Sequence, residues 1–421
     1  MPAAITPPLS FAPLRDTKVF TPWTLGRLQL AHRIVQAPCT RMRADKVDRG
    51  VFVPVDRNVT YYQQRASAGG LQITEAIDIC LDASAYPGVA GVFTEAQLAG
   101  WKRVTDAVHA KGGFIVAQLW HTGRATSPGL LGGNGAQPIS STTKPMPGTY
   151  LDGLDCAENP PRAMTVEEIH ALTKEWAAAA KRAVEVAGFD GVEIHGANGY
   201  LLEQFLHDNI NDRTDAYGGS VENRCRFVVE VVEAVAAAIG SDRTGIRLSP
   251  YNYFQGTKDS NPNTHWAYLC ERLATLPEAS RPSFVHMIEP RFDEILDEQK
   301  KMAALAEYTA QPVNSLTPFR EVLKKGGIKF LAAGGFNRDN LVPKIDGGLT
   351  DAVVLGRLFI ANPDLVARLR NGWPLNAYDR STFYGASLPE KGYLDYPVYA
   401  VDVVKTVGGA ESSVEEVAVT A

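Results

Sequence analysis

The chain has 421 residues, enough for one large barrel or for up to three domains of average size. Its 45% apolar and 21% charged residues exclude a disordered chain, and its net charge of −5 argues against a general nucleic-acid-binding surface. The five cysteines are scattered and include no C-x-x-C pair, which excludes zinc-ribbon and thioredoxin-type sites and predicts free thiols. The chain shows neither a signal-peptide pattern nor an apolar run long enough to cross a bilayer. We therefore predict a cytoplasmic protein without membrane or nucleic-acid partners.

Eight short apolar runs follow one another along the chain, most of them ending in a polar or glycine-rich turn. Several runs are continuous rather than alternating, as in parallel strands that are covered on both faces. The runs span residues 33–38, 71–79, 114–121, 191–195, 245–249, 284–289, 328–333 and 352–355.

Helical patterns separate these runs. Thr165–Gly188 opens with the spacing of a capping box and ends on glycine, and Thr94–Gly112 and Ser220–Gly240 have a similar form. Eight strands that alternate with helices predict an α/β protein with a single (β/α)8 TIM barrel. A doubly wound sheet is the alternative, but the chain lacks the G-x-G-x-x-G spacing of a Rossmann site.

Two stretches fall outside the repeat. Residues 122–162 form a long loop after the third strand, rich in Gly, Pro, Ser and Thr, and long loops at that end of a barrel tend to be lids or binding loops. The composition of residues 408–421 predicts a disordered tail. We therefore predict one barrel domain over residues 1–407.

Polar side chains collect at the predicted C-terminal ends of the strands, where barrel active sites lie. His195, Asn198 and Tyr200 follow the fourth strand; the first two could donate to one substrate oxygen and the third could supply a proton. A histidine alone would more often be a packed residue, but the three together favour function. Arg247 ends the fifth strand in an apolar run, where a ligand contact and a structural ion pair explain it equally well. Gln118 could meet an amide-bearing ring or pair with backbone.

Glycines follow the last two strands. Gly334–Gly335 comes after the seventh strand and Gly356–Arg357 after the eighth. Loops at these two positions commonly bind phosphate through backbone N–H groups, and an arginine there can neutralise the anion. Tight turns alone would explain Gly347–Gly348 well, but they explain the two pairs at the rim less well. No metal-binding motif and no nucleophile–base motif occurs, so we predict no metal site.

Several blocks of the sequence together resemble the Old Yellow Enzyme family of FMN-dependent ene-reductases. The resemblance runs from Phe20 to Pro397, nearly the whole chain. A chance match to several blocks in the correct order is far rarer than a match to one. The blocks are APCTRMRA (37–44), YYQQRASAGGLQITEA (61–76), AQLWHTGR (117–124), HGANGYLLEQFLHDNINDRTDAYGGSVENRCRF (195–227), RLSPY (247–251) and GRLFIANPDL (356–365).

This resemblance implies a barrel domain that holds one non-covalent FMN. It places Thr40 at the flavin C4 carbonyl, Gln118 at the pyrimidine edge and Arg247 near N1 and the C2 carbonyl. Cys39 stands where relatives often have an apolar residue, and another branch of the family tunes its flavin with a cysteine, so either Cys39 or Thr40 could have that role; the RMR that follows favours Thr40. The full set of predicted cofactor contacts is Pro38, Cys39, Thr40, Gln118, Arg247, Gly334, Gly335, Gly356 and Arg357.

The resemblance also implies the reaction, in which NAD(P)H, with NADPH preferred, reduces FMN, which then reduces the C=C bond of α,β-unsaturated aldehydes and ketones. His195 and Asn198 would hold the substrate carbonyl and Tyr200 would protonate the product. The substrate pocket would be lined by Trp120, Phe254, Phe383 and Tyr384.

Phenols are expected as ligands, and the protein is expected to be a monomer or a homodimer. Two alternatives are a dedicated alkaloid or polyketide tailoring reductase of the same family and a flavin-binding regulatory protein with little turnover. The intact His195–Asn198–Tyr200 set favours an enzyme.

Overall fold

The computed structural model describes residues 11–83, 86–132, 136–292, 299–300, 303, 315–385 and 388–400. The predicted disordered tail, residues 408–421, lies outside the described residues. No helix in the described part of the chain combines the length and the apolarity needed to cross a bilayer. All five cysteines are free thiols.

Eight parallel strands close into a barrel in chain order, which confirms the predicted fold. The last strand returns to the first, with Val353 paired with Ile34. The predicted strands agree with the observed ones to within two residues at each end. The strands are β1 (Ile34–Gln36), β2 (Leu71–Asp78), β3 (Phe114–Trp120), β4 (Gly191–Gly196), β5 (Thr244–Leu248), β6 (Phe284–Ile288), β7 (Lys329–Ala333) and β8 (Ala352–Leu355).

Helices cover the outside of the barrel, and their predicted starts are confirmed. Thr94 and Thr165 each form a capping box with the residue three positions later, and Ser220 accepts from the Asn223 N–H. The helices are α1 (Asp56–Arg65), α2 (Glu95–His109), α3 (Val166–Glu185), α4 (Leu201–Leu206), α5 (Val221–Ile239), α6 (Pro262–Thr275), α7 (Thr317–Lys325), α8 (Leu341–Asp346), α9 (Arg357–Ala361) and α10 (Leu365–Asn371).

A short hairpin of Trp23–Leu25 and Leu28–Leu30 closes the N-terminal end of the barrel. Both strands alternate buried and exposed residues, and their buried side chains pack against inward-facing residues such as Val35 and Val354. The apolar side chains of this hairpin fill the N-terminal end of the barrel, so the polar side chains of the barrel interior face the opposite, C-terminal end.

Candidate active site

A cleft of about 510 Å³ opens at the C-terminal end of the barrel, a volume suited to a small-molecule ligand. The structure brings every predicted site residue to this one cleft, and their individual roles remain predictions. The lining includes Pro38, Cys39, Thr40, Gln118, Trp120, His195, Asn198, Tyr200, Arg247, Phe254, Gly334, Gly335, Gly356, Arg357, Phe383 and Tyr384.

One end of the cleft exposes backbone beside a cation. Gly335 has φ +66°, a conformation in which other residues are strained. A Cβ on Gly356 would lie 3.0 Å from the Cys39 sulfur, so the chain here packs more closely than a side chain would comfortably allow. Arg357 follows directly and begins α9, with its guanidinium 5.0 Å from the centre of the Phe292 ring. Accessible backbone with an arginine beside it suits a phosphate group.

Thr40 and Cys39 lie side by side in the cleft wall but face different strands. The Thr40 hydroxyl accepts from the Ala76 N–H of β2 at 3.4 Å, whereas the Cys39 sulfur lies against Gly356 after β8. Burial raises the pKa of the Cys39 thiol, which is therefore uncharged at neutral pH. The hydroxyl is the more polar group of the pair, and this supports Thr40 as the flavin contact.

Arg247 and Gln118 face the cleft from the barrel interior. Arg247 forms no ion pair with any residue that the structure describes, and its buried Nε has no hydrogen-bond partner. The ion-pair explanation therefore finds no support here, and a half-buried cation that lines the cleft without a carboxylate partner favours an electron-rich ligand. The Gln118 side chain makes no hydrogen bond with the backbone of any described residue, and its Nε2 donates to Glu193 at 2.7 Å.

Two parts of the cleft, the exposed backbone beside Arg357 and the side chains of Arg247 and Gln118, together fit FMN. Its phosphate matches the exposed backbone and Arg357, and the pyrimidine edge of its ring matches the unpaired donor of Arg247 and the amide of Gln118.

His195 lines the cleft as a neutral group that can donate a hydrogen bond. Its Nδ1 accepts from the Ala197 N–H at 3.3 Å, so the proton is on Nε2. Burial, together with the positive charge of Arg247, holds the pKa of His195 well below its ordinary value. The ring can therefore donate from Nε2 to a ligand without carrying a charge.

The loop that carries Asn198 is held in a strained conformation. Asn198 has φ +59°, in the left-handed region, and its N–H donates to the Ser249 hydroxyl at 2.8 Å. Ser249 donates in turn to the buried Glu203 carboxylate at 2.8 Å, and the Gly199 N–H donates to the same carboxylate. Glu203, which the sequence did not single out, thus fixes this loop from α4.

Tyr200 lies in a cluster of aromatic rings. Its ring centre is 4.6 Å from that of Trp120 and 5.1 Å from that of His195. Its hydroxyl donates to the Tyr86 hydroxyl at 3.4 Å, and Tyr86 also lines the cleft. The sequence does not predict Tyr86 as a site residue, because no local pattern marks it and it lies 114 residues before Tyr200.

Apolar and aromatic side chains form the outer wall of the cleft. Phe254 and the buried Phe383 contribute to it, and Tyr384 is largely exposed. Leu151, from the long loop after β3, also lines the cleft. This contact supports the interpretation of residues 122–162 as a binding loop.

Accessible backbone beside an arginine and a set of hydrogen-bonding side chains meet at the mouth of a (β/α)8 barrel, an arrangement that suits the class of flavin-dependent oxidoreductases. The sequence matches the NADH:flavin oxidoreductase / NADH oxidase family over residues 18–376. The chain belongs to this family, and its predicted resemblance to the Old Yellow Enzymes is confirmed.

Similar proteins extend over almost the whole chain. The flavin oxidoreductase hxnT of Emericella nidulans is 59% identical over 388 residues, which cover 92% of this chain and 99% of the relative. The 12-oxophytodienoate reductase 2 of Arabidopsis thaliana is 44% identical over 91% of this chain and 96% of its own. The solved structure of morphinone reductase in complex with tetrahydroNAD is 38% identical, has a TM-score of 0.78 and covers 91% of this chain and 98% of its own. An Old Yellow Enzyme homologue from Zymomonas mobilis is 36% identical, with a TM-score of 0.79 over 91% of this chain and 100% of its own.

Proposed function

We propose that this protein uses FMN and NADPH to reduce the C=C bond of α,β-unsaturated aldehydes and ketones. The observation that carries this proposal is the neutral His195, whose Nε2–H is available to donate beside Asn198 and Tyr200 in a cleft that fits FMN. Such donors suit a carbonyl oxygen that gains negative charge during the reaction.

Arg357, Arg247 and Gln118 would hold FMN, which would supply the hydride chemistry between the nicotinamide and the substrate. His195 and the Asn198 amide hold the substrate oxygen and stabilise its developing charge. Tyr200 provides the proton for the α-carbon, as a general acid. Trp120, which is fully buried and donates to Asp78, keeps the tyrosine ring in place.

The names of similar proteins support this substrate class. A 12-oxophytodienoate reductase and a morphinone reductase are, by name, reductases of carbonyl compounds, and the latter was solved with a nicotinamide analogue. The preference for NADPH is part of the proposal. Arg380, an exposed cation that lines the cleft, is suited to an additional phosphate group. A cytoplasmic location and a monomeric or homodimeric state remain predictions from the sequence.

The test begins with the purified protein, its visible spectrum and the identity of the flavin that heat releases. NADPH and NADH oxidation with 2-cyclohexenone is then measured without oxygen, and cyclohexanone is quantified as product. We expect FMN, enone turnover and a higher kcat/KM with NADPH. A protein that stays colourless after incubation with FMN would refute the proposal. Flavin reduction without enone turnover would favour the regulatory alternative, and a higher kcat/KM with NADH would refute the nucleotide preference.

A further inference from the structure

A chain of three buried side chains lies in the barrel interior behind the cleft wall. Gln118 on β3 donates from Nε2 to one oxygen of Glu193 on β4, at 2.7 Å. His286 on β6 contacts the other oxygen through Nδ1, at 2.9 Å. Glu193 and His286 are fully buried, and Gln118 is 1% exposed. Neither Glu193 nor His286 has a part in the reaction described above.

The carboxylate decides which way the Gln118 amide faces. The two ends of an amide have nearly the same shape, and only the hydrogen-bond partners distinguish the donor end from the acceptor end. A carboxylate can only accept, so it takes the Nε2 end. The Oε1 end accepts from no described residue and is left for a ligand at the cleft wall that Gln118 lines.

His286 keeps Glu193 in this accepting role. Burial lowers the pKa of His286, so the ring is neutral and its Nδ1–H donates to Glu193. Arg247 pairs in register with His286 on the neighbouring strand but forms no ion pair with Glu193. Both carboxylate oxygens therefore accept from neutral donors. A buried carboxylate without a cationic partner costs stability, which favours a functional role for Glu193.

We propose that Glu193 is a positioning residue for the flavin, because it orients Gln118 so that Oε1 accepts from the N–H of the pyrimidine edge. His286 acts one step further back, by holding Glu193. The inference rests on FMN binding, which belongs to the proposed function. It concerns the affinity for FMN and not the chemistry that follows.

A double-mutant cycle on the apoprotein tests this role. FMN is titrated into wild type, E193Q, Q118A and the double variant, and Kd is read from the quenching of flavin fluorescence. In E193Q the amide of Gln118 can turn and set a donor against the ring N–H. A buried donor left without a partner should weaken binding by about 5- to 150-fold. In the Q118A background the same substitution should change Kd by no more than about twofold.

Two further pairs of measurements make the test specific. H286N retains a donor near Nδ1 and should keep most of the affinity, whereas H286L should weaken FMN binding, again only when Gln118 is present. E203Q also removes a buried carboxylate, but one on α4 that holds the loop of Asn198, and should leave the FMN Kd within about twofold of wild type. Melting temperatures of the apoproteins identify a variant that does not fold. If E193Q does not fold, the comparison of H286N with H286L tests the inference in its place.

The outcomes separate the two claims. An equal loss of FMN affinity with and without Gln118 would show that Glu193 is only structural and would overturn the inference. A wild-type apoprotein that does not bind FMN would instead overturn the proposed function.

Discussion

Replacing His195 with alanine should weaken the binding of phenols to the FMN-loaded protein. A phenolate oxygen resembles the negatively charged oxygen of a reacting enone, so it should be held by the same donors, His195 Nε2 and the Asn198 amide. A phenolate stacked on oxidised flavin is expected to give a long-wavelength charge-transfer band, which reports binding directly.

The size of the effect follows from the state of the ring. His195 is buried and neutral, with Nδ1 occupied by the Ala197 N–H, so it contributes one hydrogen bond to a charged oxygen. Losing such a bond costs about 1.5–3 kcal/mol, or one to two decades in Kd. The donor also favours the charged form of the ligand, so the apparent pKa of the bound phenol should rise in the variant.

The assay is a titration with 4-chlorophenol across a pH series for wild type, H195A and H195Q. Glutamine can place an amide N–H near the position of Nε2, so H195Q should recover part of the affinity. Because the pKa of His195 lies well below its ordinary value, the affinity of wild type for phenolate should show no step as the pH passes 6.5. A band of equal strength in wild type and H195A, at equal phenol and pH, would refute the role of His195 as a donor.

Three further predictions concern Tyr200, Arg357 and the buried Glu75. Y200F should slow the reaction of the reduced enzyme with enones by about 10²- to 10⁴-fold and leave flavin reduction by NADPH unchanged, which stopped-flow measurements can check; equal loss in both steps would make Tyr200 structural. R357A should weaken FMN by about one to two decades and riboflavin hardly at all, because only FMN carries the phosphate; an equal loss for both flavins, measured by fluorescence titration, would contradict this. Burial raises the pKa of Glu75 from 4.5 to about 7, so the folded protein binds the extra proton in that interval and its stability falls as the pH rises through it. Between pH 5 and 8, the free energy of unfolding measured with urea should fall by up to about 3 kcal/mol less in E75Q than in wild type. E158Q, at an exposed carboxylate, should behave as wild type. Parallel curves of unfolding free energy against pH for wild type and E75Q would contradict this prediction.

The sequence by itself determined the barrel and the place of its site. Continuous apolar runs mark strands that are covered on both faces, and helix starts such as Thr94 and Thr165 follow from local capping chemistry. Because parallel strands in a barrel share one C-terminal end, residues as far apart as Thr40 and Arg357 could be assigned to one cleft before any contact was known.

Only the tertiary structure decided which groups pair. The N-terminal hairpin has strands of three residues each, too short for a periodic signal. Three examples are the lack of an ion pair at Arg247 among the described residues, the contact of Tyr86 with Tyr200, and the orientation of Gln118 by Glu193. Each depends on side chains from different strands and loops. Such contacts are set by barrel register and packing, which bring together residues about a hundred positions apart and leave no local trace in the chain.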